Sequence, residues 1–322
     1  MPTKPAPRVG YVYSATFLEH VTDLYGHGGE PHPEAPDRLL AIHREIEESG
    51  LISRLVRLDP APATRAQLSL VHEPTMIDRV EALSAQGGGL LDEDTVVSSG
   101  SLKAALLAAG AGLTAVDALA AGTVDRAFLA LRPPGHHATA SRSMGFCLFN
   151  NVAVAAQYAI AHKGARRVAI VDWDLHHGNG TQDIFYARSD VLYISMHQHP
   201  LYPGTGAARE TGEGEGQGST LNIPLPAGAG DEVFVDKVKK VVVPALRRFA
   251  PDLLLISSGF DAHKDDPLGS LEVTDAGFRR VTELAVAAAT ELTGGRLISF
   301  LEGGYNLQAL ARASRAHVEA LL

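Results

Sequence analysis

The sequence predicts an α/β protein built on a mostly parallel sheet, and three observations carry that prediction. Short apolar, β-rich runs alternate with longer helical stretches, each run ends in polar or glycine residues, and no internal repeat or long linker breaks the alternation. Such alternation places helices on both faces of a parallel sheet.

The runs Val9–Tyr13, Ala127–Leu131, Val168–Val171, Val191–Ser195, Leu253–Ser257 and Leu297–Leu301 read as strands. Between them, Leu102–Leu119, Val152–His162, Glu232–Phe249 and Asp275–Leu292 carry Ala, Leu and Val at helical spacing and read as helices. Thr211–Ser219 alternates Gly with polar residues and reads as a surface loop. Its glycines are no dinucleotide fingerprint, because no strand–turn–helix surrounds them. Residues 1–322 read as one domain.

Composition narrows the function classes. The chain is 45% hydrophobic and 20% charged, an ordinary globular balance. With 28 basic and 37 acidic residues its net charge is −9, and no basic patch speaks for nucleic acid. An acidic surface keeps a protein soluble and also attracts cationic substrates, and composition does not separate the two. No run of about 18 apolar residues is evident, so no membrane-spanning helix is expected. Met1–Pro7 is short, Pro-rich and basic with no apolar run behind it, so no signal peptide is expected. A single cysteine, Cys147, forms no internal disulfide and fits a reducing cytoplasm.

Ligands of open α/β sheets bind beyond the carboxyl ends of the strands. Four strand ends here deliver chemistry: Arg132-Pro133-Pro134-Gly135-His136-His137, Asp172-Trp173-Asp174-Leu175-His176-His177-Gly178-Asn179-Gly180, Gly259-Phe260-Asp261, and Glu302-Gly303-Gly304-Tyr305-Asn306. A catalytic zinc takes three His or carboxylate ligands and keeps one position open. Asp174 and His176, two residues apart in extended chain, point to one side, and Asp261 offers a third ligand from another strand end. Helix capping or loop polarity is the alternative for an isolated Asp/His pair. The crowding of Asp172, His177 and Asn179 alongside favours the metal.

Hydrolysis of an amide also needs a base for water and an acid for the leaving amine. The tandem His136 and His137 suit both roles if each ring has a partner. A carboxylate (Asp172) behind His136 would keep that ring charged, whereas an amide (Asn179) behind His137 would leave it free to exchange a proton. Tyr305, on a Gly-Gly turn, is a candidate oxyanion donor, with a rim-packing tyrosine as the alternative.

The motifs Arg132–Ala138, Gly145-Phe146-Cys147, Asp172–Gly180 and Leu301–Asn306 resemble those of the histone deacetylases, the class II branch in particular. The resemblance spans nearly the whole chain, beginning with His32-Pro33-Glu34-x-Pro36-x-Arg38. It implies a single-domain arginase–deacetylase fold, with an eight-stranded parallel sheet between helical layers and a narrow tunnel ending at one zinc. By the same resemblance, Asp174, His176 and Asp261 are the zinc ligands, and His136 and His137 the catalytic pair with His137 the proton shuttle. Asp172 and Asn179 are their partners, Asn at 179 being the class II pattern, and Tyr305 is the oxyanion donor. Gly145, Phe146, Tyr202, Leu268 and Gly303 are expected around the substrate, with Tyr202 standing where phenylalanine is common. Asp94 matches a rim aspartate that holds substrate backbone, and Arg38 an arginine guarding an internal acetate-release cavity. A potassium ion is implied at the carbonyls of Asp172, Asp174, His176 and Met196 and the Ser195 hydroxyl. Cys147 is packing beside Phe146.

The expected substrate is an acyl-lysine of a protein or peptide, with acetylated small amines as the alternative. The acetylpolyamine deacetylases share these motifs but place an acidic gatekeeper where this chain has Leu268. An arginase-type ureohydrolase would need a carboxylate soon after His176, where Gly178 stands instead. A non-catalytic acyl-lysine binder would be expected to lack a ligand or Tyr305, and this chain has them all.

Overall fold

The computed structural model describes residues 6–23 and 30–322. Met1–Pro5, part of the segment on which the signal-peptide reading rests, lie outside the described residues.

The first half carries β1 (Val9–Val12), α1 (Asp37–Glu48), β2 (Leu55–Arg57), α2 (Arg65–Leu68) and α3 (Pro74–Ala85), then a small hairpin of β3 (Gly88–Leu90) and β4 (Val96–Ser98). After it come α4 (Ser101–Ala120), β5 (Arg126–Leu129), α5 (Asn151–Lys163), β6 (Val168–Asp172), α6 (Asn179–Phe185) and β7 (Val191–Gln198). The last part holds β8 (Thr220–Leu225), α7 (Asp231–Lys237), α8 (Val243–Phe249), β9 (Leu253–Ser258), α9 (Asp275–Leu292), β10 (Leu297–Leu301) and α10 (Leu307–Leu321). Eight strands form one sheet in the order β2-β1-β5-β10-β9-β6-β7-β8. Every neighbouring pair is parallel. Helices cover both faces, so the central strands are apolar without alternation and wholly buried.

Local chemistry sets the helix starts. The side chains of Asn150, Thr274 and Asn306 accept from the backbone N–H groups of Ala153, Gly277 and Ala309 and cap α5, α9 and α10. The predicted helix Glu232–Phe249 is instead broken into α7 and α8 by a π-helical turn at Val238–Val242. Pro244, in the first turn of α8, has no N–H to continue the ladder. The edge strands β2 and β8 were not foreseen, nor were helices α1, α3 and α10.

Among the described residues one helix, α4, is long and apolar enough by length and composition to cross a membrane, although Lys103 and Asp117 interrupt its apolar run. About two-thirds of its apolar window is buried inside the fold (67%). Gly112 lies against the sheet, where an added Cβ would come within 2.8 Å of the Phe300 ring.

Beneath the sheet, His317 of α10 is fully buried between Thr282 (2.7 Å) and Ser299 (2.8 Å). Burial pushes its pKa down to about 3, so the ring is neutral when folded. A lowered histidine pKa favours the folded state fully above about 6.5, and that contribution is lost as pH falls toward 3. Melting temperature is therefore expected to fall between pH 6.5 and 5, by about 1.4 kcal/mol of stability per pH unit from this ring. His317→Gln should flatten that slope in calorimetry, and an unchanged slope would contradict the assignment.

Candidate active site

Five adjacent strands, β5, β10, β9, β6 and β7, end at one edge, and their following loops converge there. A cavity of about 230 Å³ opens among them. Among its walls are Asp94, His136, His137, Gly145, Phe146 and His176, together with Tyr202, Leu268, Gly303 and Tyr305, all singled out from sequence. Pro134, Cys147 and Leu201 also face it without having been assigned to the cavity.

At its floor Asp174, His176 and Asp261 are buried, and one ligand atom from each lies within 4.8 Å of the others. His176 Nδ1 stands 3.3 Å from Asp174 Oδ1 and 3.2 Å from Asp261 Oδ2. The other oxygens are already held, since Asp174 Oδ2 accepts from the Gly303 N–H (2.7 Å) and Asp261 Oδ1 from the Leu175 N–H (2.8 Å). Each carboxylate thus turns one fixed oxygen toward the imidazole. Burial, and then the neighbouring charge of Asp174, push Asp261 up to about 7. Two buried carboxylates held this close form a site that a divalent cation fits: the donor set is that of a catalytic metal centre, and its charge would relieve the repulsion.

The two histidines beside this triad have opposite electrostatics. His136 Nδ1 lies 3.0 Å from Asp172 Oδ2. Burial alone would lower its pKa, but the carboxylates of Asp174 and Asp172 raise it to about 10, so the ring stays charged. Asp172 is itself fixed by the Tyr193 hydroxyl (3.0 Å) and the Asp174 N–H (3.1 Å). His137 Nδ1 lies 2.7 Å from Asn179 Oδ1. Burial and the charge of His136 hold His137 well below its ordinary value. An amide oxygen only accepts, so Nδ1 of neutral His137 carries the proton and Nε2 is a bare acceptor.

The walls are shaped by backbone conformation. Gly145 and Phe146 are both left-handed, with φ of 56° and 67°. A Cβ at Gly145 would come within 2.6 Å of the His137 ring. Phe146 pays backbone strain for its position, and its N–H donates to the Thr95 hydroxyl (3.2 Å). The Tyr202 ring packs edge-on to His137 at 5.1 Å. Asp94 contributes its carbonyl to His32 Nε2 (3.1 Å). Burial raises the pKa of the Cys147 thiol well above normal, which agrees with a packing role.

Tyr305 follows Gly303-Gly304 and lies with its ring 6.0 Å from that of Phe146. Behind it, Arg38 is fully buried, its guanidinium 4.9 Å from the Tyr305 ring centre. Arg38 donates to the carbonyls of Gly304 (2.6 Å) and Glu302 (2.5 Å) and to Glu34 (3.0 Å). Of the residues expected around a potassium ion, Asp172 and Ser195 are register partners on β6 and β7, with Met196 next in line. The Ser195 hydroxyl lies 2.8 Å from His197 Nδ1.

Sequence reasoning gave Glu302 no role, yet its buried carboxylate accepts from the N–H groups of Gly135 (2.7 Å) and His136 (3.1 Å) and from the Ser257 hydroxyl (3.1 Å). It therefore shapes the turn that presents the histidines. The only signal was its place at a strand end.

Fold and site together define a hydrolase-type α/β centre with a candidate metal triad beside a histidine pair. The histone deacetylase domain family matches residues 32–321, and the chain belongs to that family. It is 42% identical over 291 residues to a histone deacetylase-like amidohydrolase of Pseudomonas aeruginosa, covering 90% of this chain and 77% of the relative. With Histone deacetylase 15 of Arabidopsis thaliana it shares 42% identity over 298 residues, 91% of this chain but 53% of that longer protein. A probable deacetylase of Archaeoglobus fulgidus is 39% identical over 301 residues, 93% of this chain and 82% of that one. Among solved structures, the HDA15 HD domain superposes with a TM-score of 0.93 at 40% identity, over 98% of this chain and 88% of that chain. The eight-stranded parallel sheet is thus the histone deacetylase fold.

Proposed function

We propose that the protein is a zinc-dependent amide hydrolase that removes acetyl groups from lysine side chains. The observation that carries this reading is the buried Asp174–His176–Asp261 triad lying beside a histidine whose Nε2 is free to take a proton. Asp174, His176 and Asp261 would hold the zinc, which supplies Lewis-acid polarisation of the substrate carbonyl when bound. His137 Nε2 takes a proton from the attacking water as its oxygen bonds to the carbonyl carbon. The Tyr305 hydroxyl donates a hydrogen bond to the oxygen that becomes negative. His136, kept charged by Asp172, adds fixed positive potential. Collapse breaks the C–N bond, His137 returns its proton to the leaving amine, and acetate and free lysine result. Potassium at the carbonyls beside Ser195, an acetate-release role for Arg38 and backbone capture by Asp94 belong to the same reading, as does a cytoplasmic location.

The apolar wall of Phe146 and Leu268 suits the methylenes of a lysine side chain. Against it stand the acidic surface and Asp94, which suit acetylated small amines. A substrate panel tests the choice: kcat/KM is expected to be higher for acetyl-lysine peptides than for acetylspermidine or acetylputrescine. Leu268→Glu should shift the ratio toward the cationic amines by about tenfold, as one added charge pair near a partly dry wall is worth about 1–2 kcal/mol. A wild-type preference for acetylated polyamines would replace lysine with the small-amine reading.

A further inference from the structure

The turn that presents Tyr305 has no side chains of its own to hold it. Gly303 and Gly304 are fixed as glycine by close approach: a Cβ on Gly303 would collide with the Asp261 and Asp174 carboxylates, and Gly304 has φ 122°. Two glycines before a candidate catalytic group make a hinge unless the backbone is tethered from outside. Its carbonyl side is tethered by Arg38, and the Gly303 N–H by Asp174. Past Gly304, the N–H groups of Tyr305 and Asn306 both go to one oxygen, Oδ2 of Asp266, at 2.7 and 3.3 Å. The other oxygen of Asp266 accepts from the Leu268 N–H at 3.0 Å. Asp266 is only 8% exposed. The Asp266 carboxylate thus joins the segment that bears the apolar wall residue to the one that bears the tyrosine, beside one further bond from the Asn306 amide to the Asp265 carbonyl (3.0 Å).

We infer that Asp266 is a positioning residue for amide hydrolysis, acting through Tyr305 by fixing the backbone on which its hydroxyl is aimed. This rests on the reading of Tyr305 as oxyanion donor. Asp266 makes no hydrogen bond to the metal triad or the histidine pair; its charge also bears on Asp261, and the metal content of the variants separates that route from the one through the turn. Asn at 266 keeps the size but offers one acceptor oxygen where three N–H donors converge, so the turn loosens while the core around it is unchanged. Loosening a donor that acts mainly in the transition state lowers kcat more than it raises KM.

The test is a double-mutant cycle on the metal-loaded full chain with an acetyl-lysine peptide. Asp266→Asn is expected to lower kcat by about 10- to 100-fold with KM within about threefold. In the Tyr305→Phe background the same substitution should lower kcat by less than about threefold further, because the hydroxyl it positions is gone. Metal content and melting curves are read for all four proteins. If Asp266→Asn does not fold, Asp266→Ser, which keeps a smaller acceptor, carries the cycle. Full additivity of the two losses, or a loss confined to KM, would overturn the assignment. Tyr305→Phe with wild-type turnover would instead remove the oxyanion reading, and this inference with it. The two failures are therefore distinguishable.

Discussion

Asp174→Asn is expected to lose metal and activity together while the protein stays folded. Asp174 Oδ1 faces His176 at 3.3 Å, whereas Oδ2 accepts the Gly303 N–H at 2.7 Å. An asparagine can keep its oxygen on Gly303 and so preserve the turn, but it presents a neutral amide where an anionic ligand stood. Losing a bound cation forfeits several kcal/mol of transition-state stabilisation, and at 1.36 kcal/mol per tenfold the rate falls by about 10³ or more. The metal-free form should still fold but melt at a lower temperature, since the Asp174 charge is held by His136 and His176 and its Oδ1 accepts the His176 N–H at 2.9 Å, gains that outlast the relief of repulsion on Asp261. Elemental analysis and a melting curve on the same sample check both halves. A full metal complement in a stably folded Asp174→Asn, His176→Ala double variant would end the triad assignment.

Tyr305→Phe is expected to lower kcat by about 10²–10³, or roughly 3–4 kcal/mol, with a smaller effect on KM. The ring keeps its contacts with Arg38 and Phe146, so fold and metal content should match wild type. The loss concentrates in kcat because the hydrogen bond strengthens as negative charge develops on the oxygen. This variant should also trap an intact acetyl-lysine peptide for structure determination. A purely packing tyrosine would show a lowered melting temperature and turnover within a few-fold of wild type, which would refute the oxyanion step.

What was legible in the sequence was local. Six strands were placed within a few residues, because each is a short apolar run buried on both faces that stops in polar or glycine residues. The triad and the histidine pair were legible for a related reason: each lies just past a strand end. Two edge strands were not. In β2 only Leu55–Arg57 pair, half-exposed, and β8 holds Pro224, which an edge tolerates but a pattern search rejects. Helix α1 carries more polar than apolar residues, and in α10 Gln, Arg, Ser, His and Glu interrupt an Ala- and Leu-rich run, so their one-sided stripes do not stand out as continuous apolar helices. Glu302 and Asp266 were silent because their roles exist only through partners far along the chain: Glu302 bonds Gly135, and Asp266 bonds Tyr305. Nothing near a carboxylate in sequence announces a backbone N–H that arrives from another strand.

The position of β10 has a consequence for how the molecule comes into being. This strand, the last of the sheet along the chain, lies between β5 and β9, with Leu297 paired to both Arg126 and Leu254. A nascent chain leaving the ribosome can therefore pair β1 with β5, and β6 with β9, but these two blocks stay unjoined until residues 297–301 emerge. Each then waits with an open parallel edge, and joining them closes contacts of very long sequence separation, a slow kind of step. Because the loops after β5 and β9 bear His136, His137 and Asp261, the geometry of the candidate active site arises only when the two blocks are zipped. Enzymatic activity is thus a stringent reporter of completed folding, and a ribosome stalled before residue 297 should hold a partly structured, inactive chain.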